Sequence, residues 1–121
     1  MSEIPILKSY GMVYLATPYS KFHGGIESAF RYAAKVAALL IRHQVNVYSP
    51  IAHTHPIAIH GGLDPLNHEL WLRFDRTMME RSDALLVAMM TGWRESHGIR
   101  MEMGFFESAN KPIHFMDLDN G

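Results

Sequence analysis

The chain has 121 residues, 48% of them hydrophobic and 19% charged, with a net charge of −1. That size suits one domain with a core of its own, and the even charge balance excludes the basic footprint of a nucleic-acid-polymer binder or a membrane-surface protein. Cysteine is absent, which excludes disulfide scaffolds, thiolate metal sites and cysteine nucleophiles. No apolar run nears the roughly 20 residues of a membrane span, and no signal-peptide pattern opens the chain. The expectation is a cytoplasmic protein with a small-molecule partner.

Met12–Ala16 reads as a first buried strand, ended by Thr17-Pro18-Tyr19-Ser20 because proline cannot continue a ladder. From Ile26 to Ile41 apolar residues recur at helical spacing, with Glu27, Arg31, Lys35 and Arg42 on the other side, which predicts an amphipathic helix. Val45–Tyr48 is a second short strand, closed by Ser49-Pro50. A stretch rich in His, Gly and Pro then reads as loop to about Pro65.

Leu66 to Arg81 predicts another helix, with Leu66, Leu70, Phe74 and Met78 on one apolar face and Trp71 beside it. Glu69, Arg73, Arg76 and Glu80 cluster roughly opposite. Asp75 belongs to neither group, so it needs a partner or a job. Asp83 reads as a turn residue before the strand Leu85–Val87. Ser96 then fits an N-cap for a helix that carries Glu102 in its first turn, and Ile113–Phe115 is the last strand. Strands alternating with helices imply an α/β fold with a parallel sheet. We expect a single-domain three-layer sandwich, flavodoxin/Rossmann-like, with about five strands.

Loops from successive strand ends share one rim of such a sheet, where open α/β folds bind ligands. Neither a G-x-G-x-x-G fingerprint nor a Walker pattern is present, which argues against a dinucleotide or P-loop site. Glu102, at a helix start beside unpaired N–H groups, suits a nucleophile; the alternative is a charge that favours the helix dipole. His53, His55, His60 and His68 fall close together, and His53-Thr54-His55 would set two imidazoles on one side of a strand or loop. Without helical H-x-x-x-H spacing or a carboxylate at ligand spacing, pocket-lining histidines are the better reading, with no metal and no cofactor. His53 then faces substrate. Trp93 is a lid or packing residue that a purine could stack on, and the methionines fill core.

Val13-Tyr14-Leu15-Ala16-Thr17-Pro18-Tyr19, Asp75 ahead of Asp83, Ser96-x-Gly98-x-x-x-Glu102-x-Gly104 and Lys111-Pro112-Ile113 together resemble the nucleoside 2-deoxyribosyltransferase-like superfamily. That superfamily includes the 2-deoxynucleoside 5-phosphate N-hydrolases, and the resemblance covers nearly the whole chain. It implies that Glu102 attacks the anomeric carbon, displaces the base and forms a covalent glycosyl ester, which water or a second base resolves. Asp75 matches the position that orients the sugar or shuttles a proton, and Tyr14 an aromatic whose hydroxyl sits near the nucleophile. Ser96 and the Gly98 backbone match a 5-phosphate contact, and Thr17, Pro18 and Tyr19 occupy the substrate loop.

This chain departs from the hydrolases, which carry Gly-Ser-Ile-Arg after the first strand, because it has Thr17-Pro18-Tyr19-Ser20-Lys21 there. It departs from the transferases, which continue past the last strand, because it stops at Asp117–Gly121. Hydrolysis of a deoxynucleoside or its 5-monophosphate is therefore the simpler expectation, with transfer beside it. The alternative is a non-catalytic nucleotide-binding or interaction module on the same fold. Cytokinin-forming phosphoribohydrolases fit poorly, since their P-G-G-x-G-T element is missing. A homo-oligomer, dimer or tetramer, is expected, because Leu72 and Met79 would otherwise point away from the sheet uncovered.

Overall fold

Val13–Ala16 forms β1, and every residue of it is buried, as suits a strand covered on both faces. A computed structural model describes residues 3–117; the C-terminal departure from the transferases lies largely outside this range. A short helix that the sequence did not suggest, α1 (Ile4–Lys8), precedes β1 and buries Leu7. Then come α2 (Gly25–Arg42), β2 (Val47–Tyr48), α3 (Pro50–Gly61), α4 (His68–Arg81), β3 (Ala84–Met89), a 3-10 turn (Trp93–Glu95), α5 (His97–Ser108) and β4 (Ile113–Asp117).

The strands form one parallel sheet in the order β2-β1-β3-β4, with Tyr14 opposite Tyr48 and Leu85. The expected α/β class and flavodoxin/Rossmann-like layering hold, with four strands among the described residues rather than about five. Alternation along each strand feeds two separate cores. Val13, Leu15, Leu86 and Ala88 pack on one side with Leu7, Val36, Ala37 and Leu40. Tyr14, Ala16, Leu85 and Val87 pack on the other with Met79, Ile99 and Phe106.

The stretch from Ser49 to about Pro65 is not one loop. Ser49 caps α3, its Oγ accepting from the Ala52 N–H at 3.3 Å, and Pro50 stands in the first turn, where a missing N–H does no harm. Gly62 closes the helix with φ of 76°, a left-handed value that glycine takes without strain. Helical geometry turns His53 and His55 roughly 200° apart rather than to one side. His55 is buried, and His53 is exposed.

Helix α4 also sits differently on the sheet from its expected face. The helix starts at His68 rather than Leu66; Asp75 and Met79 are its buried residues, while Phe74 stays 48% exposed and Leu66, ahead of the helix, 46%. Met79 therefore belongs to the core, and Leu72 packs against it, so neither points away from the sheet. In this setting Met79 is buried in the core and Asp75 turns inward on the same side of the helix. Its last carbonyls are held by Lys111, whose Nζ donates to Met79, Glu80 and Ser82 oxygens at 3.3, 2.8 and 2.8 Å. Asp83 is the expected turn residue, accepting at Oδ2 from the N–H groups of Gly11 and Met12.

Candidate functional site

Strand order reverses between β1 and β3, and loops diverging from that switch point leave a crevice at the carboxyl ends of the strands. The cleft there encloses about 680 Å³, its open mouth included, between the loop after β1, the start of α3, the inner face of α4 and the start of α5. Thr17, Tyr19, Asp75, Ser96, Gly98 and Glu102 all line it. Residues far apart in sequence are thus brought to one place.

Glu102 falls in the second turn of α5, not the first, since the helix starts at His97. One further turn carries its side chain under the cleft floor, where it is 9% exposed. The dipole reading, whose effect falls off within the first turn, does not describe it. Burial pushes the Glu102 carboxyl up to about 8; the Tyr14 hydroxyl opposes that rise, and the Asp75 charge adds to it. Asp75, 7% exposed, is pushed up to about 6 by burial, against the Tyr48 hydroxyl that donates to its Oδ1 at 3.2 Å. Tyr14 and Tyr48 are themselves raised, first by burial and then by these carboxylates.

Tyr14 does not line the cleft; it stands behind Glu102, fully buried, with rings of Tyr48 and Phe106 packed around it. Its hydroxyl acts on Glu102 at short range yet meets no partner in regular hydrogen-bond geometry. The Thr17 Oγ1 is likewise buried without a partner, at the cleft wall. Buried hydroxyls left unpaired by the protein are uncommon, and of these two that of Thr17 belongs to a residue that lines the cleft.

At the start of α5 the Ser96 Oγ accepts from the Ile99 N–H at 3.2 Å, which leaves its own hydrogen free to donate. Gly98 stands beside it with ordinary space around its α-carbon: an added Cβ would meet nothing nearer than the Ser96 Oγ at 3.9 Å. It stands in the first turn of α5 and lines the cleft.

Three expected contacts lie elsewhere. Pro18 is buried beside the cleft without lining it. His53 is turned outward, with Nδ1 3.1 Å from the Tyr48 hydroxyl and its ring near Phe74, so it reaches Asp75 only through Tyr48. Trp93 packs on Phe115 with the Arg94 guanidinium over its ring, on the 3-10 turn. Among the described residues, no group of three or more His, Asp or Glu side chains is placed to hold a metal ion. The divergence of His53 and His55 on α3 explains that in part.

Pro50, Ile51 and Thr54 of α3, which the pattern of the sequence does not single out, also wall the cleft. Ser49-Pro50 was the available sign, since a serine cap followed by proline opens a helix as readily as it closes a strand. Glycine matters most at Gly92, where φ is 90° and an added Cβ would meet the Lys21 carbonyl oxygen at 2.3 Å. That contact seats the loop after β1 on the loop after β3, so the two cleft walls hold each other.

Among the described residues, no helix is long and apolar enough to cross a membrane. A comparison with curated proteins finds no match. The family is shown by a sequence profile spanning residues 11–118: the chain belongs to the domain of unknown function DUF1937.

Proposed function

We propose that the protein cleaves the N-glycosidic bond of a deoxynucleoside or deoxynucleoside 5-monophosphate, by hydrolysis or by transfer to a second base. The observation that carries this reading is the pair of buried carboxylates, Glu102 and Asp75, lining one cleft at the sheet's switch point. The ionised Glu102 oxygen attacks C1′ while the C1′–N bond breaks, its electron pair passing to the base nitrogen. The resulting ester is opened by water, which restores the carboxylate and releases the sugar with retained configuration.

Burial serves this step. A poorly solvated carboxylate opposite a developing oxocarbenium charge interacts with it more strongly than one in water. The consequence is the raised Glu102 value of about 8, which the Tyr14 hydroxyl keeps from rising further. Asp75, at about 6, is mostly ionised at neutral pH and accepts hydrogen bonds, from Tyr48 and from a sugar hydroxyl. Ser96, Gly98 and the start of α5 suit a 5-phosphate. Homo-oligomers, dimer or tetramer, belong to the same proposal; Phe74, exposed on α4, and Leu66, exposed just ahead of it, replace Leu72 and Met79 as the face to be covered.

A second reading, a nucleotide-binding module without turnover, draws on one observation. With its carboxyl at about 8, Glu102 is largely protonated near pH 7 in the free protein, and a protonated carboxyl donates a hydrogen bond rather than attacking carbon. Incubation with a panel of deoxynucleosides and their monophosphates, assayed for free base, separates the two. Base release, with a sugar adduct on the Glu102 peptide from a 2-fluorinated substrate, is the expected result. Thermal stabilisation by the same compounds without release would replace the enzyme by the module.

A further inference from the structure

Behind the loop after β1, a buried imidazole joins the cleft to the surface. Tyr19 lines the cleft, and its hydroxyl lies 2.5 Å from the His55 Nδ1. His55 is 4% exposed, and its Nε2 lies 3.2 Å from Glu27 Oε1 on α2. Glu27 itself is exposed and also meets the Arg31 Nε at 3.1 Å. Phe30 stacks on the imidazole at 4.7 Å, so the ring is clamped with both nitrogens engaged. A tyrosine that lines the cleft, a buried imidazole and a solvent-facing carboxylate in series form a path for a proton.

The glycosidic reaction needs such a path. A base leaves poorly as an anion, so protonation at nitrogen must accompany bond breaking. The nucleophile supplies no proton, and Asp75 already accepts from Tyr48. His68 and His97 line the cleft as well, with their rings 5.6 Å apart, but both are exposed.

We propose that Tyr19 is the proton donor to the departing base and that His55 and Glu27 are positioning residues that recharge it; this rests on the glycosidic-bond reading above. With His55 protonated, Nδ1–H donates to the Tyr19 oxygen and Nε2–H to Glu27, which turns the Tyr19 hydrogen into the cleft. As the C1′–N electron pair moves to the base, that hydrogen passes to the base nitrogen and the Nδ1 proton passes to Tyr19. Neutral His55 keeps its Nε2–H on Glu27. In the second half the path runs backward: water gives its proton to Tyr19, Tyr19 gives its own to Nδ1, and hydroxide bonds to C1′ as the ester releases Glu102. The cycle consumes one water and returns His55 to its starting state.

Leaving-group dependence tests this, because a merely structural role would not produce it. The kcat/KM values of the parent, Tyr19→Phe, His55→Gln and Glu27→Gln are compared on a deoxynucleoside and on 2,4-dinitrophenyl 2-deoxyriboside, whose phenolate leaves without a proton. Tyr19→Phe and His55→Gln should lose about a hundredfold on the deoxynucleoside and little on the dinitrophenyl substrate. Glu27→Gln should show the same selectivity with a smaller loss. Equal losses on both substrates, or none on either, would overturn the relay while the glycosidic reading stands. A selective loss in His68→Gln or His97→Gln, with Tyr19→Phe unaffected, would overturn it by moving the donor to the cleft mouth. If His55→Gln fails to fold, Tyr19→Phe, which keeps the ring, decides alone. A parent that cleaves neither substrate ends the glycosidic reading and the relay together, and its own turnover distinguishes that case.

Discussion

The two faces of the sheet are built from alternate residues of the same strands, yet they are different materials. Toward α1 and α2, the residues Val13, Leu15, Leu86 and Ala88 meet Leu7, Val36 and Leu40, a cluster whose buried side chains among the described residues are all apolar. Toward α4 and α5, the same strands bury Tyr14 beside Glu102, and α4 adds Asp75. A carboxyl held at about 8 by burial is a position where folding alone would favour a neutral side chain. One face holds the domain together; the other tolerates groups that oppose stability, and they sit where the cleft is.

The largest expected effect breaks the chemical face alone. Glu102→Ala should reduce base release by about 10⁴-fold or more, with the fold intact by circular dichroism. In the parent, kcat/KM should rise with pH toward about 8, because the nucleophile must be ionised. A profile that falls across that range both in the parent and in His55→Gln would make Glu102 an acid instead. Unchanged release from Glu102→Ala would remove it from the chemistry.

Leu86→Ala breaks the other face. Leu86 is fully buried in a central strand, so truncation should lower unfolding free energy by about 2–5 kcal/mol in denaturant titrations. Turnover per folded molecule should stay near the parent's. A fully folded Leu86→Ala protein with lost turnover would show that the faces do not act separately.

A third expectation sharpens the contrast through pH. The Glu102 carboxyl is raised from 4.5 to about 8, so as pH rises the unfolded chain releases this proton first. Stability should therefore fall from about pH 4.5 and level off near pH 8. Asp75, raised from 3.8 to about 6, adds the same sign over its lower window. Glu102→Gln removes the larger slope, and its unfolding free energy at alkaline pH should exceed the parent's by on the order of a few kcal/mol in denaturant titrations. A parent whose stability is flat across that window would mean that its carboxyls are better solvated than the fold implies.

Much of this division was legible in the sequence. The runs ending at Ala16 and Val87 gave the central strands, the spacing from Ile26 gave α2, and Ser96 gave the start of α5. What escaped has physical reasons. Helix α3 is written in proline, histidine and glycine, residues whose composition says loop while their order, Ser49-Pro50 to Gly62, says helix. On α4 the wheel marked an apolar stripe through Phe74, but the buried stripe runs through Asp75, because packing and not hydrophobicity alone decides which edge of a helix faces in. Glu102 and Asp75 were found by position and type. The Tyr19–His55–Glu27 chain joins a loop to α3 and α2, and it comes together through the packing of those two helices, with Phe30 stacked on His55.

Asp75→Asn is the smallest of these changes and the most discriminating. Asparagine keeps the shape and still accepts from the Tyr48 hydroxyl through its carbonyl oxygen. It loses the negative charge, and with it the desolvation that lifts this carboxyl to about 6. Stability at neutral pH should therefore hold or rise slightly, since the parent keeps a largely ionised group where burial disfavours one. Turnover should fall at least about tenfold, because a charged acceptor that orients a sugar hydroxyl is replaced by a neutral one. The two readouts move apart only if Asp75 serves the cleft. A structural aspartate would give the reverse pattern, a lower melting temperature with turnover per folded molecule preserved, and would place α4's inward edge with the aliphatic face as packing alone.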